Sequence, residues 1–220
     1  MVQELSDEQR QLAVTFMTTE QFTLQTARGT TTSEANGRSA LYLSTLSSAL
    51  VALGFVAQVD AFGRSFSLFA LLVLLPIVFL GIITFQRVVQ SMVEDVFYAQ
   101  GMIRIRSLYV ELVPEMRPYF IQPTRERTSG VAPEAFARGR WQPLLTVGGA
   151  IAVVNCVLVG AIVGIAADLV LGPPFAATVL TGTVVAVATV AGHYIYQQHT
   201  WERASAILSA PTAMVPPTPE

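Results

Sequence analysis

The sequence predicts an all-α, polytopic membrane protein with four transmembrane helices, and three observations lead there. Only 13% of the 220 residues are charged while 52% are hydrophobic, and a soluble domain carries roughly a quarter charged residues. Charged residues leave four long gaps, at 39–59, 65–86, 141–167 and 169–201, each reaching the roughly 20 residues that a helix needs to cross hydrocarbon. Finally, the chain has no lysine, and twelve of its 13 basic residues lie in segments that a four-span threading puts on one side. The spans fall near 40–60, 66–86, 143–167 and 175–196. Helices are expected because lipid cannot satisfy open backbone groups and no segment alternates as a barrel strand does.

Five segments follow. Residues 1–38 are a helical N-terminal segment, 39–86 a first transmembrane hairpin, 87–140 a helical connection, 141–200 a second hairpin, and 201–220 a tail whose proline-rich end stays disordered. In the first segment Ser6-Asp7-Glu8-Gln9 has the form of a capping box, with acidic residues suited to the first turn. Arg28-Gly29 is expected to end that helix, and Thr31-Thr32-Ser33-Glu34 to restart one that runs into the first span. The first span does not read as a signal peptide, because Glu4, Asp7, Glu8, Glu20 and Glu34 precede it where a signal begins with a short basic stretch.

Orientation follows from the arginines. Arg10, Arg28 and Arg38 precede span one; Arg87, Arg104, Arg106, Arg117, Arg125, Arg127, Arg138 and Arg140 join spans two and three; Arg203 follows span four. Only Arg64 lies on the other side. The positive-inside rule then places both termini and the long connection in the cytoplasm, with the plasma membrane as the host bilayer. Tyr42, Trp141, Tyr194, Tyr196 and Trp201 fall at the inner interface, where amphipathic rings prefer to sit.

Span two is expected to continue past the membrane. Val88, Val89, Met92, Val93, Val96 and Phe97 recur at helical spacing among polar residues. That stripe needs a partner, and the candidates are the N-terminal helix or a neighbouring subunit's copy of it. Val89, Met92, Val93, Val96 and Phe97 are therefore candidates for a cytoplasmic docking face. Pro114 and Pro118 end the helix, and Pro133 starts a short one that rests Phe136 and Trp141 on the membrane surface. The two halves also match faintly, with Ala35-Asn36-Gly37-Arg38 against Ala137-Arg138-Gly139-Arg140 and Phe69-Ala70 against Phe175-Ala176. A parallel duplication of a hairpin would produce this, and so would the shared constraints on any membrane hairpin.

Span three carries the sharpest pattern: Gly148, Ala152, Cys156, Gly160, Gly164 and Asp168 are spaced by four. Small residues on one face let helix backbones approach closely, a main source of packing energy in lipid. Span one repeats this with Ala40, Ser44, Ser48 and Ala52, and span four with Thr178, Gly182 and Ala186. Packing within a subunit, contact between subunits and the lining of a pore are the three readings. Span two is bulky and is expected to face lipid more, with Pro76 as a candidate kink. Asn155 is the one strongly polar residue near mid-membrane, suited to a structural hydrogen bond or a water-filled path. Asp60 and Asp168 near the outer ends are solvated loop carboxylates or an acidic ring at a pore mouth.

The net charge of −2 and pI of about 5.7 argue against nucleic-acid binding, and one cysteine allows no internal disulfide. His193, His199 and Glu202 are too few and too close on one helix to enclose a metal ion, so neither metal nor cofactor is expected. No phosphate loop, GxSxG, HExxH or Cys/His nucleophile pair is legible. The chain therefore reads as a non-enzymatic membrane protein whose partners are the bilayer and copies of itself, in a homo-oligomeric assembly that could enclose a small pore. The alternative is a membrane-anchored scaffold whose helices recruit a cytoplasmic protein.

Overall fold

A computed structural model of the chain describes residues 6–60, 62–122, 146–172 and 174–209. These form four α-helices: α1 (Asp7–Asp60), α2 (Arg64–Leu112), α3 (Val147–Leu171) and α4 (Phe175–Ser209), with a 3-10 helix at Pro114–Tyr119 after α2. There is no strand among the described residues. All four α-helices are long and apolar enough to cross a membrane. The readings placed on Pro133, Phe136, Trp141, Arg125, Arg127, Arg138, Arg140 and the proline-rich tail lie outside the described residues.

α1 begins as its sequence dictates. The Ser6 N–H donates to Gln9 Oε1 at 3.0 Å and the Gln9 N–H donates to Ser6 Oγ at 3.2 Å, a reciprocal capping box. The expected break at Arg28-Gly29 does not occur; α1 runs unbroken for 54 residues, about 80 Å at 1.5 Å per residue. A lone glycine costs a helix only about 1 kcal/mol, and residues on both sides of it are held against α2. Arg28 grips Asp95 of α2 with both arms, at 2.7 and 2.9 Å, which raises the Arg28 pKa. Leu24 lies over Gly101, and Thr18 and Tyr109 share a hydrogen bond of 3.2 Å. The Thr31 hydroxyl, expected to cap a second helix, donates to Ala27 O within the continuous one.

A methyl added at Gly29 would meet nothing within 4 Å. Gly29→Ala is therefore expected to stabilise the fold by about 0.5–1 kcal/mol through backbone entropy. Thermal unfolding of the purified protein checks this, and a destabilised variant would place a bend at Gly29.

α2 also extends as expected, to Leu112, beyond which Pro114 and Pro118 sit in the 3-10 helix. It passes through Pro76 without interruption. Its extension packs antiparallel on the first half of α1, so the end of the bundle carrying these two extensions is its polar end. There Glu34 accepts from Arg38 at 2.9 Å and from Arg87 at 3.3 Å, and these bonds lower its pKa. The contribution is present above the ordinary carboxylate range and lost as pH falls through it. Glu34→Gln should remove that component from a stability–pH profile. An identical acid limb in the variant would mean the bridges do not form in solution.

One expectation about α2 is reversed. It is the hub of the fold and not a lipid-facing outlier, since it packs on α1, α3 and α4. Ala70, Leu74, Ile77, Val78, Gly81, Phe85, Val88 and Val89 are buried on it, while Leu72, Leu75 and Phe79 point outward. Bulky side chains fill the wider gaps around a helix with three neighbours, which small-residue strips cannot do.

Two short turns close the hairpins at the other end. After α1, Phe62 takes a left-handed conformation (φ 61°). The Asp60 carboxylate accepts the Phe66 N–H at 2.7 Å, so it serves an orphan donor of the first turn of α2. After α3, Gly172 (φ 54°) is the left-handed residue and donates to Asp168 O at 3.0 Å, an ending that favours glycine.

Candidate functional site

Three helices build a polar knot in the interior. Asn155 of α3 is fully enclosed, at 0% exposure, and its Oδ1 accepts the hydroxyl of Tyr42 of α1 at 2.7 Å. Asn155 Nδ2 is buried without an acceptor. The third participant is Gly81 of α2: a Cβ there would overlap Asn155 Oδ1 and lie 2.8 Å from Tyr42 Cε2. The three residues thus interlock, and the amide sits against protein, which is the structural of its two readings. Tyr42 is not an interfacial anchor; it is fully buried. Its hydroxyl is the partner that Asn155 required, and neither Tyr42 in this role nor Gly81 was singled out by sequence. The available signal was a glycine alone in a run of bulky residues.

A second cluster joins α3, α4 and α2. Cys156 Sγ lies 3.8 Å from His193 Nδ1, and the His193 ring meets Phe85 edge-on with centroids 4.6 Å apart. This pair was invisible as a sequence motif because its members are separated by a whole interhelical turn. His193 Nδ1 is also 2.9 Å from Thr189 O. A carbonyl oxygen only accepts, so Nδ1 carries the hydrogen in that bond and holds no lone pair for the thiol proton. The arrangement packs the thiol; it does not activate it. His199 instead pairs with Glu202 at 3.4 Å, so the three residues weighed as metal ligands divide between two places. No group of three candidate ligands occurs among the described residues.

The small-residue strip of α3 is a packing face. Gly148, Ala152, Cys156, Gly160 and Gly164 are all buried, as is Gly182 of α4, with Ala186 half-buried. A Cβ at Gly160 would stand 2.5 Å from Gly182 O and 2.9 Å from Ala186 Cβ. Backbones therefore touch where small residues meet small residues. Asp168, the last of the spaced positions, is exposed. Ser44 and Ser48 point away from the chain's own core, which α1 supplies through Tyr42, Leu46, Ala49 and Leu53. Their hydroxyls donate to Leu41 O and Ser44 O, each at 3.0 Å.

The stripe on the α2 extension divides. Val89 is fully buried in the chain's own core and is withdrawn from any docking face. Met92, Val93, Val96 and Phe97 remain half-buried. Geometry replaced periodicity here: a residue on the stripe is available only if α1 and α4 leave it uncovered.

Fold and interior together define an all-helical protein with four helices of membrane-spanning length and apolarity, packed around a shared apolar core among the described residues. The chain matches no family model, no curated protein and no solved structure.

Proposed function

We propose that the chain is a non-enzymatic, multi-pass protein of the plasma membrane, with both termini in the cytoplasm, that assembles with copies of itself. The observation carrying this reading is the outward face of α1. Ala40, Ser44, Ser47 and Ser48 are exposed there in a single copy, within the apolar part of the helix, and their small side chains permit the close backbone approach that drives helix association in lipid. Copies inserted with the same orientation meet through this face about an axis normal to the bilayer, and the serine hydroxyls then line a small pore. The faint match of the two halves fits a duplicated hairpin.

Ser44→Leu with Ser48→Leu is expected to convert the assembly to a monomer in a native mass measurement of detergent-extracted protein. A wild-type monomer overturns self-association. Reconstitution in liposomes tests the pore: ion flux is expected, and no conductance from a verified oligomer removes it. Release of the chain from vesicles by alkaline carbonate would remove membrane insertion, and external protease cutting at Arg125 in intact cells would reverse the orientation.

A second reading, a membrane-anchored scaffold, is favoured by the long antiparallel pair made by the extensions of α1 and α2, on which Val93 and Phe97 stay partly uncovered. Under it, Val93→Asp or Phe97→Asp abolishes partner recruitment while insertion is unchanged. Mutants that behave as wild type exclude that face.

A further inference from the structure

All four helices border one cavity at the polar end of the bundle. It has a volume of about 330 Å³, within the range of small-molecule sites. α1 contributes Ala35 and Asn36, α2 contributes Val88, Ser91, Met92, Asp95 and Val96, α3 contributes its start at Val147, and α4 contributes Trp201. Two members of the apolar stripe, Met92 and Val96, thus face an internal space.

The walls are mostly apolar, with polar groups at a few points. Ser91 is 5% exposed, lines the cavity, and its hydroxyl makes no hydrogen bond among the described residues. A hydroxyl can donate once and accept twice, and this one opens onto the cavity, so its partner is whatever the cavity holds. At the start of α3, the Gly149 N–H goes to Thr146 Oγ1 at 3.1 Å and the Ala150 N–H to Thr146 O at 2.9 Å. The N–H groups of Val147 and Gly148 have no acceptor among the described residues, as the first turn of a helix leaves them.

Charge narrows the ligand. Among the described residues, Asp95 is the one ionisable residue on the cavity wall, and both its oxygens are taken by Arg28. A charged ligand would find no counter-charge on the wall, whereas a neutral one would meet donors and an apolar surface. We propose that this cavity binds a neutral amphiphile, an apolar body with a hydroxyl or carbonyl head that hydrogen-bonds Ser91. The proposal does not rest on self-association, since the residues that line the cavity all belong to one copy.

The test uses the full chain in nanodiscs with Trp141→Phe, which leaves Trp201 as the sole tryptophan, because the sequence holds 2. Trp201 emission is followed while 1-octanol, octanoate or octylammonium is added. A saturable change with octanol is expected, with the two charged probes at least about tenfold weaker. Ser91→Ala should weaken octanol about fivefold, as loss of one hydrogen bond does, and Ser91→Leu should abolish the response by filling the space. Absence of saturation with octanol overturns the proposal. So does octanoate or octylammonium binding as tightly as octanol, or an isotherm that Ser91→Ala leaves unmoved in a variant with wild-type thermal stability.

Discussion

Replacing Gly81 by alanine is expected to destabilise the folded protein by about 3 kcal/mol. The added methyl overlaps Asn155 Oδ1 and crowds Tyr42 Cε2. Overpacking of this kind costs about 1–3 kcal/mol, and the amide can escape only by giving up the Tyr42 hydroxyl, stranding a buried acceptor at a further cost of about 1–3 kcal/mol. Thermal or denaturant unfolding in detergent measures the loss. A double-mutant cycle identifies its origin. In an Asn155→Ala background, Gly81→Ala should cost at least about 1 kcal/mol less than in the wild type, because the clashing oxygen is gone. Additive costs would mean that the three-helix knot does not exist as described.

The second large effect lies at the α3–α4 contact. Gly160→Ala is expected to destabilise by about 3 kcal/mol, since its Cβ would stand 2.5 Å from a backbone oxygen, Gly182 O, and a backbone cannot rotate aside. Gly164→Ala, four residues along the same strip, should leave stability unchanged or raise it by up to about 1 kcal/mol, by the backbone-entropy gain that also applies at Gly29. Its Cβ would sit 3.6 Å from Thr178 O, an ordinary contact. The contrast is the test: equal costs at the two positions would show that α3 and α4 approach each other differently from the arrangement seen. On spacing alone the two glycines are equivalent, and only the point where the helix axes come closest distinguishes them.

Much of the architecture was legible before any coordinates. The charge-free gaps located all four apolar helices, Ser6 and Gln9 announced the start of α1, and Pro114 and Pro118 marked where α2 stops. These signals are local: each depends on a residue's own backbone preference or on its neighbours within one turn. The continuity of α1 through Gly29 was not legible, because what stabilises it is Asp95, remote in sequence and adjacent only after folding. The same holds for Cys156 beside His193. Tyr42 looked like an interface aromatic because its position along the helix is known from sequence while its azimuth is not.

Composition thus determined which stretches are apolar helices, and Asn155 was recognisable as a group that must find a partner. The arrangement of helices around one another decided the rest: that α2 is the hub, that Tyr42 and Gly81 receive Asn155, that Val89 is hidden while Ser91 borders a cavity. The physical reason is one of range. Helix formation and hydrophobicity are summed along the chain within a few residues, whereas close approach, polar satisfaction and enclosed space depend on pairs of surfaces that a one-dimensional pattern leaves unmatched.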